Sequence, residues 1–323
     1  MEIDNVTMFL EPEWTQYQML FSNAVESPYS LLTQINSHVT ANRGKQIRPI
    51  LSLLSAKMFG APTQLSTVVA AVVEMVHTAT LLHDDVADQS DTRRGVLTVQ
   101  KLYSPLSSVL LGDFWLARAF QLLMDHQGAS LLGHFALAIR EMSEGELFQM
   151  EKAEMGNTTI AEYHQIITKK TAMLIAGGMV AGAQTAGATQ QQCHIIEKVA
   201  ICLGIAFQIR DDILDYSPQL ATGKPYGQDL MEGKLTLPLL AAMEQAPYKE
   251  RQKAESWVRN LKVDPAQLPP IFDFVHRYQG IDFAQCAVAQ KEEEIKTLLQ
   301  QCPNTPARQH LTDVAIYLTG RNL

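Results

Sequence analysis

Two short runs hold the residues best suited to chemistry. His77 to Gly95 reads H-T-A-T-L-L-H-D-D-V-A-D-Q-S-D-T-R-R-G, and Phe207 to Tyr216 reads F-Q-I-R-D-D-I-L-D-Y. Each places aspartates at i, i+1 and i+4: Asp84, Asp85 and Asp88 in the first, Asp211, Asp212 and Asp215 in the second. On a helix such a triplet falls within an arc of roughly 100°. Crowded like charges lower helix stability, and carboxylates at a helix C-terminus oppose its dipole. Both costs call for a cation. Mg²⁺ answers the description, because it takes a few carboxylates, keeps several waters and shares its remaining positions with phosphate oxygens. Arg93 and Arg94 follow the first triplet, and guanidinium groups bind phosphate bidentately. A loop with Gly223, Lys224, Gly227, Asp229, Glu232, Gly233 and Lys234 follows the second.

The elements that must carry these residues read as helices throughout. Residues 66–82 form a long apolar run rich in alanine and valine, which delivers the first triplet at its C-terminal end. Residues 193–216 do the same for the second. Helical periods also cover 31–39, 50–59, 109–124, 131–149 and 160–188, and no strand-period run or hairpin signal stands out. The expected fold is therefore all-α, a single domain over 1–323 with a central active-site cavity and peripheral N-terminal helices over 1–40. A polar loop, Asn42-Arg43-Gly44-Lys45-Gln46-Ile47-Arg48-Pro49, leads into the 50–59 helix. By itself it is either an anion-wrapping loop or simply a basic approach to a helix.

Composition narrows the function. The chain has 323 residues, 46% of them apolar, and a net charge of −8. With no basic surplus to neutralise phosphates along a polymer, and few aromatics, nucleic-acid binding is not expected. Cys193, Cys202, Cys286 and Cys302 form no C-x-x-C pair and read as reduced core thiols of a cytoplasmic protein. The acidic N-terminus has no secretory pattern. The run 172–188 is too short, too rich in glycine and alanine, and too interrupted by Gln184 and Thr185 to be expected as a transmembrane segment. Gly178 and Gly182 instead suggest close helix packing.

Two matched triplets at two helix ends point to two metal-binding helices facing each other across a cavity, with a substrate diphosphate held between them. No Glu-x-x-His pair supports a di-iron site, and the spacing does not fit an EF-hand. Basic groups at Lys45, Arg48, Arg93, Arg94, Lys170, Lys224 and Lys234 would supply the remaining positive charge. Below the first triplet lie Thr80, His77, Val76 and Val73, and below the second lie Phe207, Gln208, Gly204 and Ala200. A charged rim over a small apolar shaft suits a diphosphate with a hydrocarbon tail.

From Gly44 to Pro238 the chain resembles the trans-prenyl diphosphate synthases. The resemblance rests on Gly44-Lys45-Gln46-Ile47-Arg48-Pro49, both aspartate motifs, Arg93-Arg94-Gly95, Gly112-Asp113, Gly145-Glu146 with Gln149, Lys170-Thr171-Ala172, and the stretch from Gly223-Lys224 to Leu237-Pro238. It implies the all-α isoprenoid synthase bundle, a homodimer, and Mg²⁺-dependent condensation of isopentenyl diphosphate onto an allylic diphosphate, with about three metal ions. By position, Asp84, Asp88 and Asp211 would contact metal, with Asp85, Asp212 and Asp215 in the same clusters. Arg93, Lys170, Gln208, Lys224 and Lys234 would bind the allylic diphosphate. Lys45, Arg48, His77 and Arg94 would bind isopentenyl diphosphate. Thr171 and Gln208 would stabilise the allylic cation. Arg321 is a loose match to a C-terminal basic contact.

Short-chain members of the family carry bulky aromatics four or five residues before the first aspartate. Here Thr80 and Ala79 stand there, with Val76 a turn further down. The segment from Glu74 to Asp91 resembles bacterial octaprenyl-type synthases that make quinone side chains. The expectation is a long product, around octaprenyl, with Leu122, Leu123 or Met124 as a floor. The alternatives are a geranylgeranyl or farnesyl diphosphate synthase, a terpene cyclase, a non-catalytic subunit of a heteromeric synthase, and a purely structural helical protein. A cyclase would usually lack the Lys45/Arg48 set and the intact second triplet, and a non-catalytic subunit would generally have lost aspartates.

Overall fold

The computed structural model describes residues 3–216, 227–261 and 263–320. Lys224, Gly223 and Arg321 lie outside the described residues. In chain order the helices are α1 (Ile3–Phe9), α2 (Glu13–Ala24), α3 (Ser30–Ala41), α4 (Ile47–Phe59), α5 (Gln64–Ala87), α6 (Val99–Leu102), α7 (Pro105–Asp125), α8 (Leu132–Met155), α9 (Ile160–Ile167), α10 (Met173–Thr185), α11 (Gln190–Leu214), α12 (Gln228–Met231), α13 (Leu237–Gln245), α14 (Tyr248–Asn260), α15 (Leu268–Arg277), α16 (Gly280–Leu299) and α17 (Pro306–Thr319). A π-helical turn, Thr168–Ala172, joins α9 to α10. The fold is all-α apart from one short hairpin, β1 (Thr92–Arg93) against β2 (Val96–Leu97), with Thr92 opposite Leu97.

The chain divides into two compact units, each discontinuous in sequence. The first comprises Met1–Ile139, Leu174–Glu197 and Leu299–Val314, and the second comprises Arg140–Met173, Lys198–Leu298 and Ala315–Leu323.

In the first unit α5 is the central helix. Its start is fixed by the Thr63 backbone N–H, which donates to Ser66 Oγ at 2.9 Å. Its end is fixed by Gln89, at φ +51. Gln89 N–H returns to Val86 O and Ser90 N–H to Asp85 O, the paired bonds of a Schellman stop. Residues 66–76 of α5 are entirely buried. Close contacts surround them. A Cβ on Gly178 would meet Val73 Cγ2 at 2.7 Å, and one on Gly182 would meet Ser52 O at 2.4 Å. These glycines let α10 approach α5 and α4, as the small-residue pair suggests. Val73, expected in an open shaft, is thus taken up by helix packing.

The N-terminal helices are less peripheral than their sequence position suggests. Val6, Leu10, Tyr17 and Phe21 are buried, and Phe21 packs edge-on to Trp115 at 5.4 Å between centroids. Trp115 Nε1 donates to Asn36 Oδ1 on α3 at 2.9 Å. Large aromatics on α2 have no other way to leave water, so they draw the segment inward.

The second unit buries Ile205, Ile209 and Ile213 of α11 among Leu237, Leu239 and Ala242 of α13 and Ile271 and Val275 of α15. Gly204 of α11 lies against Ala172, whose Cα would stand 2.5 Å from an added Cβ. This second expected shaft residue also serves packing.

Four helical stretches are long and apolar enough to cross a membrane by length and composition: Gln64–Ala87, Pro105–Asp125, Ile160–Thr185 and Gln190–Leu214. The third contains most of the run judged too short from sequence, because α9, the π turn and α10 are continuous. Large shares of the apolar windows in the first and third, 72% and 78%, are covered by the protein itself. Cys193, Cys202 and Cys302 are buried as expected of core thiols, whereas Cys286 is exposed on α16. Replacing Gly182 with alanine drives a methyl group into a backbone carbonyl. The expected result is a loss of about 1–3 kcal/mol, read as a lowered thermal midpoint by calorimetry.

Candidate active site

The end of α5 sorts its three aspartates. Asp85 is buried, and its Oδ1 accepts from both Nε and Nη2 of Arg93 at 2.7 Å. Its backbone carbonyl accepts from Gln100 Nε2 at 2.5 Å. Asp84 is half-buried and Asp88 exposed. The sequence places all three in one cluster. The structure turns the middle one inward as the anchor of Arg93 and leaves Asp84 and Asp88, one helical turn apart, at the surface.

Arg93 can reach back because the chain reverses at once. Arg94 and Gly95 take φ +53 and +79, the left-handed pair of a tight hairpin turn. This turn was not anticipated, since Arg-Gly is a weaker hairpin signal than Asn-Gly or Asp-Gly. Arg94 Nη1 donates to Asn42 O at 3.0 Å. Its guanidinium lies on Gly44, where an added Cβ would stand 2.6 Å from Cζ. Gly44 therefore makes room for a side chain fifty residues away rather than for a turn of its own.

A cavity of about 80 Å³ in this unit is lined by Arg43, Glu74, His77, Asp85, Arg93 and Arg94, with Leu81, Leu97 and Trp115 as apolar walls. Burial pushes the His77 imidazole well below its ordinary value, and Arg48, Arg94 and Arg93 push it further in that direction. His77 is therefore a neutral hydrogen-bonding group here. Glu74 is buried too; desolvation raises its carboxyl, opposed by Arg48, Arg94 and Arg43. Arg48 Nε is buried with no hydrogen-bond partner among the described residues. Lys45 is exposed.

Val76 and Ala79 are fully buried, and Thr80 is half-buried with its hydroxyl donating to His77 O at 2.8 Å. None of the three lines this cavity. At Gly112, an added Cβ would meet the His83 ring at 2.2 Å, so this position serves the contact of α7 with α5.

In the second unit the π turn carries Lys170 and Thr171. Gly145 on α8 and Gly204 on α11 let two helices approach that turn: added Cβ atoms would stand 2.8 Å from Lys169 Cβ and 2.5 Å from Ala172 Cα. Lys170 Nζ pairs with Glu146 and donates to Gln149 Oε1 at 2.9 Å. Thr171 Oγ1 donates to Gln208 Oε1 at 2.8 Å, Gln208 Nε2 donates to Asp212 Oδ1 at 2.9 Å, and Tyr163 Oη donates to Asp212 Oδ2 at 2.5 Å. These groups line a second cavity of about 80 Å³ together with Asp229 and Lys234. Lys234 Nζ also lies 2.6 Å from Glu232 Oε2.

The second triplet is sorted like the first. Asp211 is exposed. Asp212 is buried, and its carboxyl is pushed up to about 8 by burial and then by Asp229, while the Tyr163 and Gln208 hydrogen bonds hold it down. Asp215 accepts from the backbone N–H groups of Gln228 at 3.1 Å and Asp229 at 3.3 Å. Burial and then Asp229 raise it to about 6. Asp85, Asp212 and Asp215 each hold the surrounding framework through these contacts.

Among the described residues no group of three or more His, Cys, Asp or Glu side chains is arranged to hold a metal. The remaining donors still fit Mg²⁺, which needs only one or two carboxylates when waters and phosphate oxygens complete its shell. Tyr163 and Glu74 join the sites with no place in the sequence reading, while Glu146 and Asp229, read only as part of the motifs, enter beside Lys170 and Asp212. Tyr163 has no spacing signal, because its link to Asp212 spans 49 residues.

These features describe a class of protein before they describe a family: an all-α chain whose helix ends expose oxygen donors beside pockets of arginine, lysine and neutral amide. Residues 29–275 match the polyprenyl synthetase family model, and the chain belongs to that family. It is accordingly a prenyltransferase that acts on isoprenoid diphosphates. It is 32% identical to an octaprenyl diphosphate synthase of Haemophilus influenzae, over 100% of this chain and 98% of the relative. It is 33% identical to a short chain isoprenyl diphosphate synthase of Methanothermobacter thermautotrophicus, over 91% of each. A polyprenyl synthase structure from Caulobacter crescentus, complexed with calcium and isoprenyl diphosphate, superposes with a TM-score of 0.92 at 32% identity, covering 100% of this chain and 98% of that one.

Tyr163→Phe removes one of the two donors to the Asp212 carboxylate. Leaving that buried acceptor short of a partner is expected to cost about 1–3 kcal/mol. It should also loosen the Asp212 carboxylate that receives the Gln208 amide, so a drop in kcat with a lowered thermal midpoint is the outcome to measure.

Proposed function

We propose that this chain is a long-chain trans-prenyl diphosphate synthase that adds isopentenyl diphosphate repeatedly to an allylic primer such as farnesyl diphosphate, giving a product around octaprenyl for quinone side chains. The observation that carries the chain length is the absence of a bulky side chain at Ala79 and Thr80, one turn below Asp84. The Thr80 hydroxyl is already bonded to His77 O, which suits its methyl group to a hydrocarbon neighbour. Equal identity to octaprenyl and short-chain relatives leaves those side chains as the discriminating feature.

Asp84, Asp88 and Asp211 are the residues that would hold Mg²⁺, which when bound neutralises charge on the departing diphosphate. Arg93, Lys170, Lys224 and Lys234 bind the allylic diphosphate, while Lys45, Arg48, Arg94 and neutral His77 bind isopentenyl diphosphate. The allylic C–O bond breaks and its electron pair leaves with diphosphate. The isopentenyl double bond then forms the new C–C bond, and the proton lost from the adduct passes to the released diphosphate. Thr171 and Gln208 turn oxygen lone pairs toward the cation, held in that attitude through Asp212.

We also assign the exposed apolar residues Leu102 and Tyr103 at the end of α6 and Leu106 and Leu110 on the first turns of α7 to a homodimer contact, since clustered surface apolar groups mark protein interfaces. Light scattering should give about twice the 35.9 kDa chain mass, and Leu106→Glu should halve it; a monomer in the unaltered protein would sink this assignment.

Purified chain supplied with Mg²⁺, farnesyl diphosphate and isopentenyl diphosphate should give products of around forty carbons by mass spectrometry, and none after chelation. Thr80→Phe or Ala79→Phe should shorten them by several isoprene units. Unchanged length in both variants removes the basis for the long-product reading.

A further inference from the structure

The basic loop between α3 and α4 is held from behind by α2. Its key residue, Gln46, lies between Lys45 and Arg48 and has a left-handed backbone, φ +50 and ψ +44, at the start of α4. A residue with a Cβ reaches that region only when its surroundings impose it. Here the imposing contact is a side-chain bond: Gln46 Nε2 donates to Tyr17 Oη at 2.8 Å, across 29 residues of sequence. Tyr17 is itself fully buried on α2. Burial pushes its hydroxyl well above the ordinary value, Glu74 adds to this and Arg43 opposes it, so the hydroxyl stays neutral.

One turn along the same helix, the Phe21 ring lies under the Arg43 guanidinium, 4.3 Å from Cζ to centroid. Arg43 Nη2 also donates to Ser22 Oγ at 3.3 Å. Three anchors on α2, Tyr17, Phe21 and Ser22, therefore grip both ends of the loop, at Gln46 and at Arg43. The left-handed step at Gln46 decides the angle at which Lys45 leaves the loop and α4 begins, and so sets where Arg48 stands relative to it.

We propose that Tyr17 is a positioning residue for isopentenyl diphosphate binding: its hydrogen bond to Gln46 fixes the backbone that aims Lys45 and Arg48. This rests on the reading above that Lys45 and Arg48 hold that substrate. Tyr17 touches neither substrate nor the reacting atoms.

The test is steady-state kinetics with each substrate varied in turn, on the full chain, for Tyr17→Phe, Gln46→Ala, their double variant and Lys45→Ala. Phenylalanine keeps the buried ring, and alanine keeps the Cβ cost of the left-handed step, so both remove the bond with little else. Loss of one such hydrogen bond should raise KM for isopentenyl diphosphate about three- to tenfold. KM for the allylic substrate and kcat should stay within about twofold. The double variant should be no worse than Gln46→Ala alone, the signature of one shared interaction.

If Lys45→Ala raises KM for isopentenyl diphosphate but Tyr17→Phe does not, the positioning role is overturned and the substrate assignment stands. An unchanged KM in Lys45→Ala overturns both. Equal losses in both KM values and kcat, with a lowered thermal midpoint, would make Tyr17 a core residue only and also overturn the proposal.

Discussion

Three carboxylates at the C-terminal end of one helix cannot all face the same way, and the Asp85–Arg93 pair resolves the conflict. Turning the middle carboxylate inward and meeting it with two guanidinium bonds removes one charge from the crowd. The cost of burying it is offset by these two charge-assisted bonds to one oxygen. The same pair anchors the hairpin that follows α5, so Arg94 emerges at a fixed place and can lie on Gly44. The placing of the hairpin against α5 and the joining of two basic segments both draw on the neutralisation of one aspartate.

The second triplet meets the same problem without an arginine. Asp212 is satisfied by a phenol and an amide, and Asp215 by backbone N–H groups at the start of α12. Burial and then the nearby Asp229 raise both carboxyls, and these neutral donors only partly oppose that rise. The line from Thr171 through Gln208 and Asp212 to Tyr163 holds one amide in a single orientation, since each end of it is committed. Such preorganisation lets a polar site face a cation without first rearranging.

The all-α class, the long helices that end in aspartates and the close approach of α10 were legible because each depends on periodicity and small residues within one segment. Spacing also placed both aspartate triplets at helix ends, where α5 and α11 carry them. It could not separate Asp84 from Asp85, or Asp211 from Asp212, because the difference is made by partners remote in sequence: Arg93, Tyr163 and Gln208. Tyr17 and Phe21 were hidden for the same reason, as were the packing duties of Val73 and Gly204 that replaced their expected place along a shaft. The hairpin was missed because positive φ at Arg94 is imposed by tertiary contacts rather than announced by residue type.

The π turn at Thr168–Ala172 gives this chain a particular evolutionary exposure. Such a turn holds about one residue more than an α-helical path needs. Loss of any single residue there would leave a continuous, still apolar helix that packs plausibly. It would also shift the helical phase around the gap by about 100°, carrying Lys170 and Thr171 away from Gln149 and Gln208. A chain could therefore keep nearly every letter of this stretch and still lose the register on which Lys170 and Thr171 depend.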